Sequence, residues 1–285
     1  MSPRTILTDR PIDPITIAIL REVAEVATTA DIAHMLVGAT ARDVLLTHVF
    51  GLETTRATYD IDFAVAVKDW EQFDALCSGL IERKTFKGSG RAKQRLYYKG
   101  EKGEFDYHID LVPFGAIAKG TMEIAWPPDM KTIMNVAGYE EVLAAAEWVE
   151  FAPGLIQKVV SIAGLAILKI FAWSDRGREN PKDAQDLAFI MKSYAAAGNF
   201  ERVYEIEGVI EAGDYDPDLA GIYLLGLDIR RMVEKETLDQ LRQIIERDFE
   251  RLLVEMIRSR RYRENVEVQV RAQLRLLKQG ITGSG

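Results

Sequence analysis

The spacing of apolar and polar positions divides the chain into two halves. In the first, helical and extended patterns alternate. Residues 15–28 carry apolar side chains at helical intervals, a short apolar strand follows at 35–37, and beyond a corner at Gly38 helical spacing resumes over 40–49. Residues 59–67 hold the clearest strand pattern, with Ile61, Phe63, Val65 and Val67 at every second position. Asp69 then stands as N-cap of a helix reaching about residue 80. Gly88-Ser89-Gly90 reads as a loop, and 93–99 with 105–112 as a hairpin turned at 100–104. Extended segments near 131–136 and 148–151 bracket one more helix.

From Ser161 the spacing is helical to the end, in segments 161–173, 181–196, 200–212, 216–229, 236–257 and 263–278. This order predicts an α+β protein: a mixed β-sheet module over 1–153 followed by an all-helical C-terminal domain over 154–285, joined near Pro153-Gly154. Composition mainly excludes. With 285 residues, 48% of them hydrophobic, the chain can bury a substantial core. A formal charge of -8 argues against a general coat for nucleic acid and leaves room only for a local basic groove. One cysteine, Cys77, rules out an internal disulfide framework or Cys-rich zinc site and fits a reducing cytoplasm. The first thirteen residues lack a signal-peptide core, and the longest apolar stretch, 162–173, is too short to span a bilayer and contains Lys169. A soluble cytoplasmic protein with no membrane partner is expected.

Chemistry concentrates on two acidic strands. In Arg56-Ala57-Thr58-Tyr59-Asp60-Ile61-Asp62-Phe63, side chains two apart share a face, so Asp60 and Asp62 point together, with Arg56 and Thr58 joining them if the strand reaches that far back. Ala64 and Ala66 are expected to leave space beside the carboxylates. In Phe105-Asp106-Tyr107-His108-Ile109-Asp110-Leu111, Phe105, Tyr107, Ile109 and Leu111 make the core face and Asp106, His108 and Asp110 the other. Pairing the two strands would bring Asp110 to the first two carboxylates. Such a trio suits Mg2+, which prefers oxygen ligands and keeps positions open for water and phosphate. A lone D-x-D is more often a solvated face, so the company it keeps matters.

That company includes Val37-Gly38-Ala39-Thr40-Ala41-Arg42, where a glycine corner opens a helix whose free N–H groups can meet phosphate, with Thr40 as a further donor and Arg42 as a charge. An ordinary strand-to-helix turn with Thr40 as a cap accounts for the same residues. Later, Asn180-Pro181 reads as a helix start, with Asp183 complementing the helix dipole. Capping does not explain Asp186, nor Lys169 among Leu165, Ile167, Leu168, Ile170 and Phe171, a lysine that must snorkel, pair or face a ligand. Trp126-Pro127-Pro128 reads as a stiff loop with base stacking unsupported. The basic run between Arg258 and Lys278 is either a solvated helix face or a guide for an RNA acceptor.

With these residues in view, the chain resembles the nucleotidyltransferase superfamily of the DNA polymerase β type, and within it the AbiEii-type toxins of type IV toxin–antitoxin systems. The superfamily has a Gly-Gly or Gly-Ser turn, D-x-D on a strand and a third acidic residue on a later strand. The branch adds R-x-T-x-D-I-D-F, matched by Arg56 to Phe63, and a basic residue before K-D-x-x-D, matched by Arg176, Arg178, Lys182, Asp183 and Asp186. The turn departs from the pattern, since Ala39 follows Gly38. The resemblance implies Asp60, Asp62 and Asp110 as catalytic metal ligands for Mg2+ or Mn2+. NTP binding would fall to Gly38, Ala39, Thr40, Arg42, Arg56, Thr58, Lys169, Lys182, Asp183 and Asp186, with the helical domain closing the NTP cleft. It also implies an RNA (such as the end of a tRNA) or protein acceptor and a cognate antitoxin. Two other readings stay open: an antibiotic-type transferase acting on a small molecule, and a nucleotide-binding or interaction protein without turnover.

Overall fold

The structure is a computed structural model that describes residues 2–53, 60–100, 103–176, 181–258 and 265–283. The chain forms two compact units, Met1–Ser161 and Ile162–Gly285. The first is built on an eight-stranded mixed sheet of β1 (Arg4–Thr5), β2 (Ala33–Val37), β3 (Asp60–Ala66), β4 (Phe86–Gly88), β5 (Arg95–Lys99), β6 (Phe105–Phe114), β9 (Glu147–Ala152) and β10 (Leu155–Val159), in the order β1-β9-β10-β2-β3-β6-β5-β4. A separate ribbon pairs β7 (Glu123–Trp126) with β8 (Thr132–Asn135), and the short helix α4 (Tyr139–Ala144) follows it. Helices α1 (Pro14–Thr29) and α3 (Trp70–Glu82) pack on each other and on the sheet. Their buried Ile19, Leu20, Val23, Phe73, Leu76 and Leu80 share the core with Ile61, Phe63, Leu96, Ile109 and Leu111. Asp69 caps α3 as expected, accepting from Gln72 N at 2.8 Å.

Several details depart from the sequence pattern. The apolar period over 40–49 is helical in two forms, α2 (Gly38–Asp43) and then a π-helical turn over Val44–Val49. Pro153-Gly154 lies in the turn between β9 and β10, inside the first unit, because Leu155–Val159 pairs with β9 and β2. Ala64 is fully buried, so only Ala66 continues the accessible face beyond Asp62. Phe105 turns outward, and its cause is a register shift between Tyr98 and Lys99: Asp106 is the extra residue, so Lys99 faces Phe105 while Tyr98 faces Tyr107. Trp126 packs at 5.0 Å from Trp70 and 5.9 Å from Phe73, which accounts for it without a base to stack on.

The second unit is helical: α5 (Ile162–Arg176), α6 (Lys182–Ser193), α7 (Phe200–Glu205), α8 (Val209–Ala212), α9 (Pro217–Met232), α10 (Lys235–Arg247), α11 (Phe249–Ile257) and α12 (Val266–Thr282). The expected 200–212 helix is divided at Gly208, whose φ of 79° breaks helical geometry. The expected 236–257 helix is divided at Asp248. In the basic C-terminal run, Arg271 pairs with Glu250 and Glu267, and Lys278 with Glu246. Arg260, Arg261 and Arg263 lie outside the described residues. No helix among the described residues is long and apolar enough to cross a membrane.

Helices α9 and α12 cross where both are glycine. A Cβ on Gly226 would stand 2.5 Å from the Leu277 carbonyl oxygen, and one on Gly280 would stand 2.4 Å from that of Tyr223. Backbone cannot yield as a side-chain tip can. Gly280→Ala is therefore expected to destabilise the protein by about 1–3 kcal/mol through overpacking, read as a lower urea midpoint at unchanged slope.

Candidate active site

The acidic face is assembled by strand register. β2 runs antiparallel to β3 with Val37 opposite Asp62, so the corner at Gly38 lies directly beside that carboxylate. Gly38 has φ 72°, and a Cβ there would fall 1.9 Å from Asp62 Oδ2. Both the backbone angle and the space demand glycine. Thr40 is buried and its hydroxyl donates to the Asp60 carbonyl at 2.7 Å, stitching the start of α2 to β3. Its one proton is thereby committed to the strand. Arg42 is likewise buried, 5% exposed, and paired with Asp43 at 2.8 Å. Ala39 is half-buried in the same turn.

β3 and β6 run parallel, with Asp60 opposite His108 and Asp62 opposite Asp110. The three carboxylates named from sequence therefore share one face of two neighbouring strands. Their side chains are differently engaged. His108 Nδ1 stands 3.2 Å from Asp60 Oδ1. Arg95 on β5, opposite Asp110 in the antiparallel ladder, grips it with Nε at 2.8 Å and Nη2 at 2.6 Å. This bidentate bond, with the fields of Asp110 and Asp60, holds the Arg95 guanidinium above its ordinary pKa despite some loss of hydration. Arg95 is a member of this face that the sequence pattern did not single out.

Among the described residues no group of three or more His, Cys, Asp or Glu side chains is gathered to hold a metal ion. Asp110 lies opposite Asp62 in the ladder and is held by Arg95. Asp60 and Asp62 fit a hard divalent cation by donor chemistry and by the glycine corner that leaves Asp62 room.

In the helical unit Lys169, Asp183 and Asp186 come together. The Lys169 ammonium is 2.9 Å from Asp183 Oδ1 and 2.7 Å from Asp186 Oδ2, with all three side chains 10–13% exposed. Burial pulls its pKa down, and the two carboxylates more than reverse this, leaving it above the usual lysine value. Lys182, one residue before Asp183, is exposed. Arg56, Thr58, Arg178 and Asn180 lie outside the described residues, as does the side chain of Arg176.

Sequence comparison places the chain among nucleotidyltransferases. It belongs to the nucleotidyl transferase AbiEii toxin family, type IV toxin–antitoxin system, which it matches over residues 20–275. No curated protein matches it. Among solved structures it is similar to an antigenic nucleotidyltransferase-like protein from Paracoccidioides brasiliensis, at 14% identity over 74% of this chain and 94% of that one, with TM-score 0.41. It is also similar to the antibiotic-resistance factor ANT(2'')-Ia, at 15% identity over 68% and 95% with TM-score 0.36. A third is the Thermotoga maritima CCA-adding enzyme complexed with tRNA, at 12% identity over 100% and 85% with TM-score 0.27. The family assignment rests on the sequence match and on none of these likenesses.

Two outcomes follow from the geometry. Gly38→Ala pushes Asp62 aside as well as straining the turn, so its destabilisation in urea should shrink in an Asp62→Gly background to the backbone strain alone, about 1–2 kcal/mol. Lys169→Met removes the ammonium that two poorly solvated carboxylates share and should lower stability by about 3–5 kcal/mol in the same assay, with Lys169→Arg retaining much of it.

Proposed function

We propose that the protein transfers a nucleotide from an NTP to a hydroxyl acceptor on RNA or protein, with a divalent cation, as the toxin of a type IV pair restrained by a cognate antitoxin. The observation that supports this best is the register of β3 on β6, which aligns Asp62 with Asp110 and keeps Asp60 on the same face, beside a corner only glycine can make. Membership of the AbiEii family supports the reaction class.

In this reaction the acceptor oxygen attacks the α-phosphorus. A new P–O bond forms as the α–β phosphoanhydride breaks, and pyrophosphate leaves. Asp60 and Asp62 would hold Mg2+ or Mn2+, which when bound neutralises charge on the triphosphate. Asp110 is assigned to the acceptor side, as base for the hydroxyl proton. Arg95 fixes its orientation and occupies one direction on each oxygen, and further lone pairs remain. Nucleotide contacts are assigned to the backbone at Gly38 and Ala39, to Arg56 and Thr58, and to Lys169, Lys182, Asp183 and Asp186, as the family resemblance implies. Thr40 and Arg42 are assigned to holding the turn.

The test is incubation of the full chain with α-labelled NTPs, Mg2+, total RNA and cell extract. Label should enter RNA or protein and fall at least about 100-fold in Asp62→Asn, whose melting temperature stays near that of the parent. Label on a small molecule would replace the acceptor assignment. NTP binding without any transfer would overturn the enzymatic one.

A further inference from the structure

We propose that the sheet surface leading from β4 to the Asp60–Asp62 pair binds a single-stranded RNA acceptor, an inference that rests on the nucleotidyl-transfer reading of the same face. Strand register draws a row straight across four strands: Lys87 opposite Tyr97, Tyr97 opposite His108, His108 opposite Asp60. Tyr97 and His108 meet edge to face, with centroids 4.9 Å apart. Beside this row, Lys99 lies opposite Phe105, a residue 36% exposed, with Lys87 Nζ 5.8 Å from its ring centroid. A row of cations and partly open rings thus ends at the carboxylates assigned to the chemistry.

Charge singles out the same region. Residues 83–99 include seven Lys and Arg and no Asp or Glu, in a chain whose formal charge is -8. Three of the seven are answered by acids: Arg83 by Glu25, Lys93 by Asp74, Arg95 by Asp110. Lys84, Lys87, Arg91 and Lys99 are exposed and form no ion pair among the described residues. Glu101, Glu104 and Asp106 bring negative charge back only beyond Lys99. Lysines on an edge strand also discourage strand addition. That accounts for Lys87 but not for an open phenyl ring beneath it, since a bare Phe adds to the hazard that the lysine guards against. Unpaired ammonium groups among accessible rings are what a single strand uses: phosphates meet the cations, and unstacked bases meet the rings. A duplex hides its bases and a polyanionic peptide has none.

The test uses the full chain and a fluorescein-labelled 12-nucleotide single-stranded RNA, followed by anisotropy across a salt series. Lys87→Gln/Lys99→Gln should weaken binding about tenfold at low salt and flatten the slope of log affinity against log salt by about 1.4, or 0.7 for each lost phosphate contact. Phe105→Ala should weaken binding at least about fivefold with the slope unchanged. Binding of a fluorescent NTP analogue should not move in either variant. Unchanged RNA affinity and slope in the double lysine variant, with parental melting, would overturn the proposal, as would duplex RNA of equal length binding as tightly as the single strand. Either result leaves metal-dependent transfer standing, because that reading is tested separately by the labelling of the parent protein and its loss in Asp62→Asn.

Discussion

The parallel pairing of β3 with β6 is the constraint on which the rest of the molecule's chemistry depends. Side chains alternate along each strand, so a slip of one residue would bring Ile109 or Leu111 opposite Asp62 and carry the acidic set toward the core. What prevents the slip is apolar. Ile61, Phe63, Ile109 and Leu111 are each no more than 2% exposed, and burying four such side chains contributes roughly 6–12 kcal/mol. Two like charges about 5 Å apart at an effective dielectric near 20 oppose this by about 3 kcal/mol. The core therefore wins, and the carboxylates are held together by packing on the opposite side of the same strands.

Neighbouring side chains then engage the carboxylates. Arg95 meets Asp110 with both forks of its guanidinium, and His108 stands beside Asp60. The result is a graded face: acidic where β3 and β6 adjoin the Gly38 corner, and basic with aromatic rings toward β4 and β5. Such grading suits a substrate that brings both phosphates and a nucleophile, because the anionic chain is drawn to one end while a divalent cation is drawn to the other.

Much of this was legible in the sequence, because alternation along a strand is a local property. The faces of Asp60, Asp62, His108 and Asp110, the glycine corner, the Asp69 cap and the α+β order all follow from spacing within one segment. What was not legible depends on partners distant in sequence. Thr40 is a plausible phosphate donor until its hydroxyl is seen bonded to the Asp60 carbonyl twenty residues on, and Arg42 until it is seen buried. β10 was missed because five residues interrupted by Gln157 and Lys158 show no apolar alternation, and only its neighbours β9 and β2 define it as a strand. Lys169 was conspicuous as a charge on an apolar helix, but which carboxylates answer it required α6 beside α5.

Arg95 shows how small a deviation separates the two kinds of information. Counting back symmetrically from Lys99 opposite Phe105 would put Arg95 opposite Ile109, with its charge facing no carboxylate. One extra residue in β6, Asp106, moves the ladder along by one, so that Arg95 meets Asp110 and Tyr97 meets His108. The same shift is what lets Phe105 face outward beside Lys99 when strict alternation would send it inward with Tyr107. A bulge is costly to a ladder and persists where it re-aims side chains. Here it re-aims two at once, joining a guanidinium to the third carboxylate and opening a phenyl ring beneath Lys87, so the neutralised acid and the basic aromatic surface are consequences of one inserted residue.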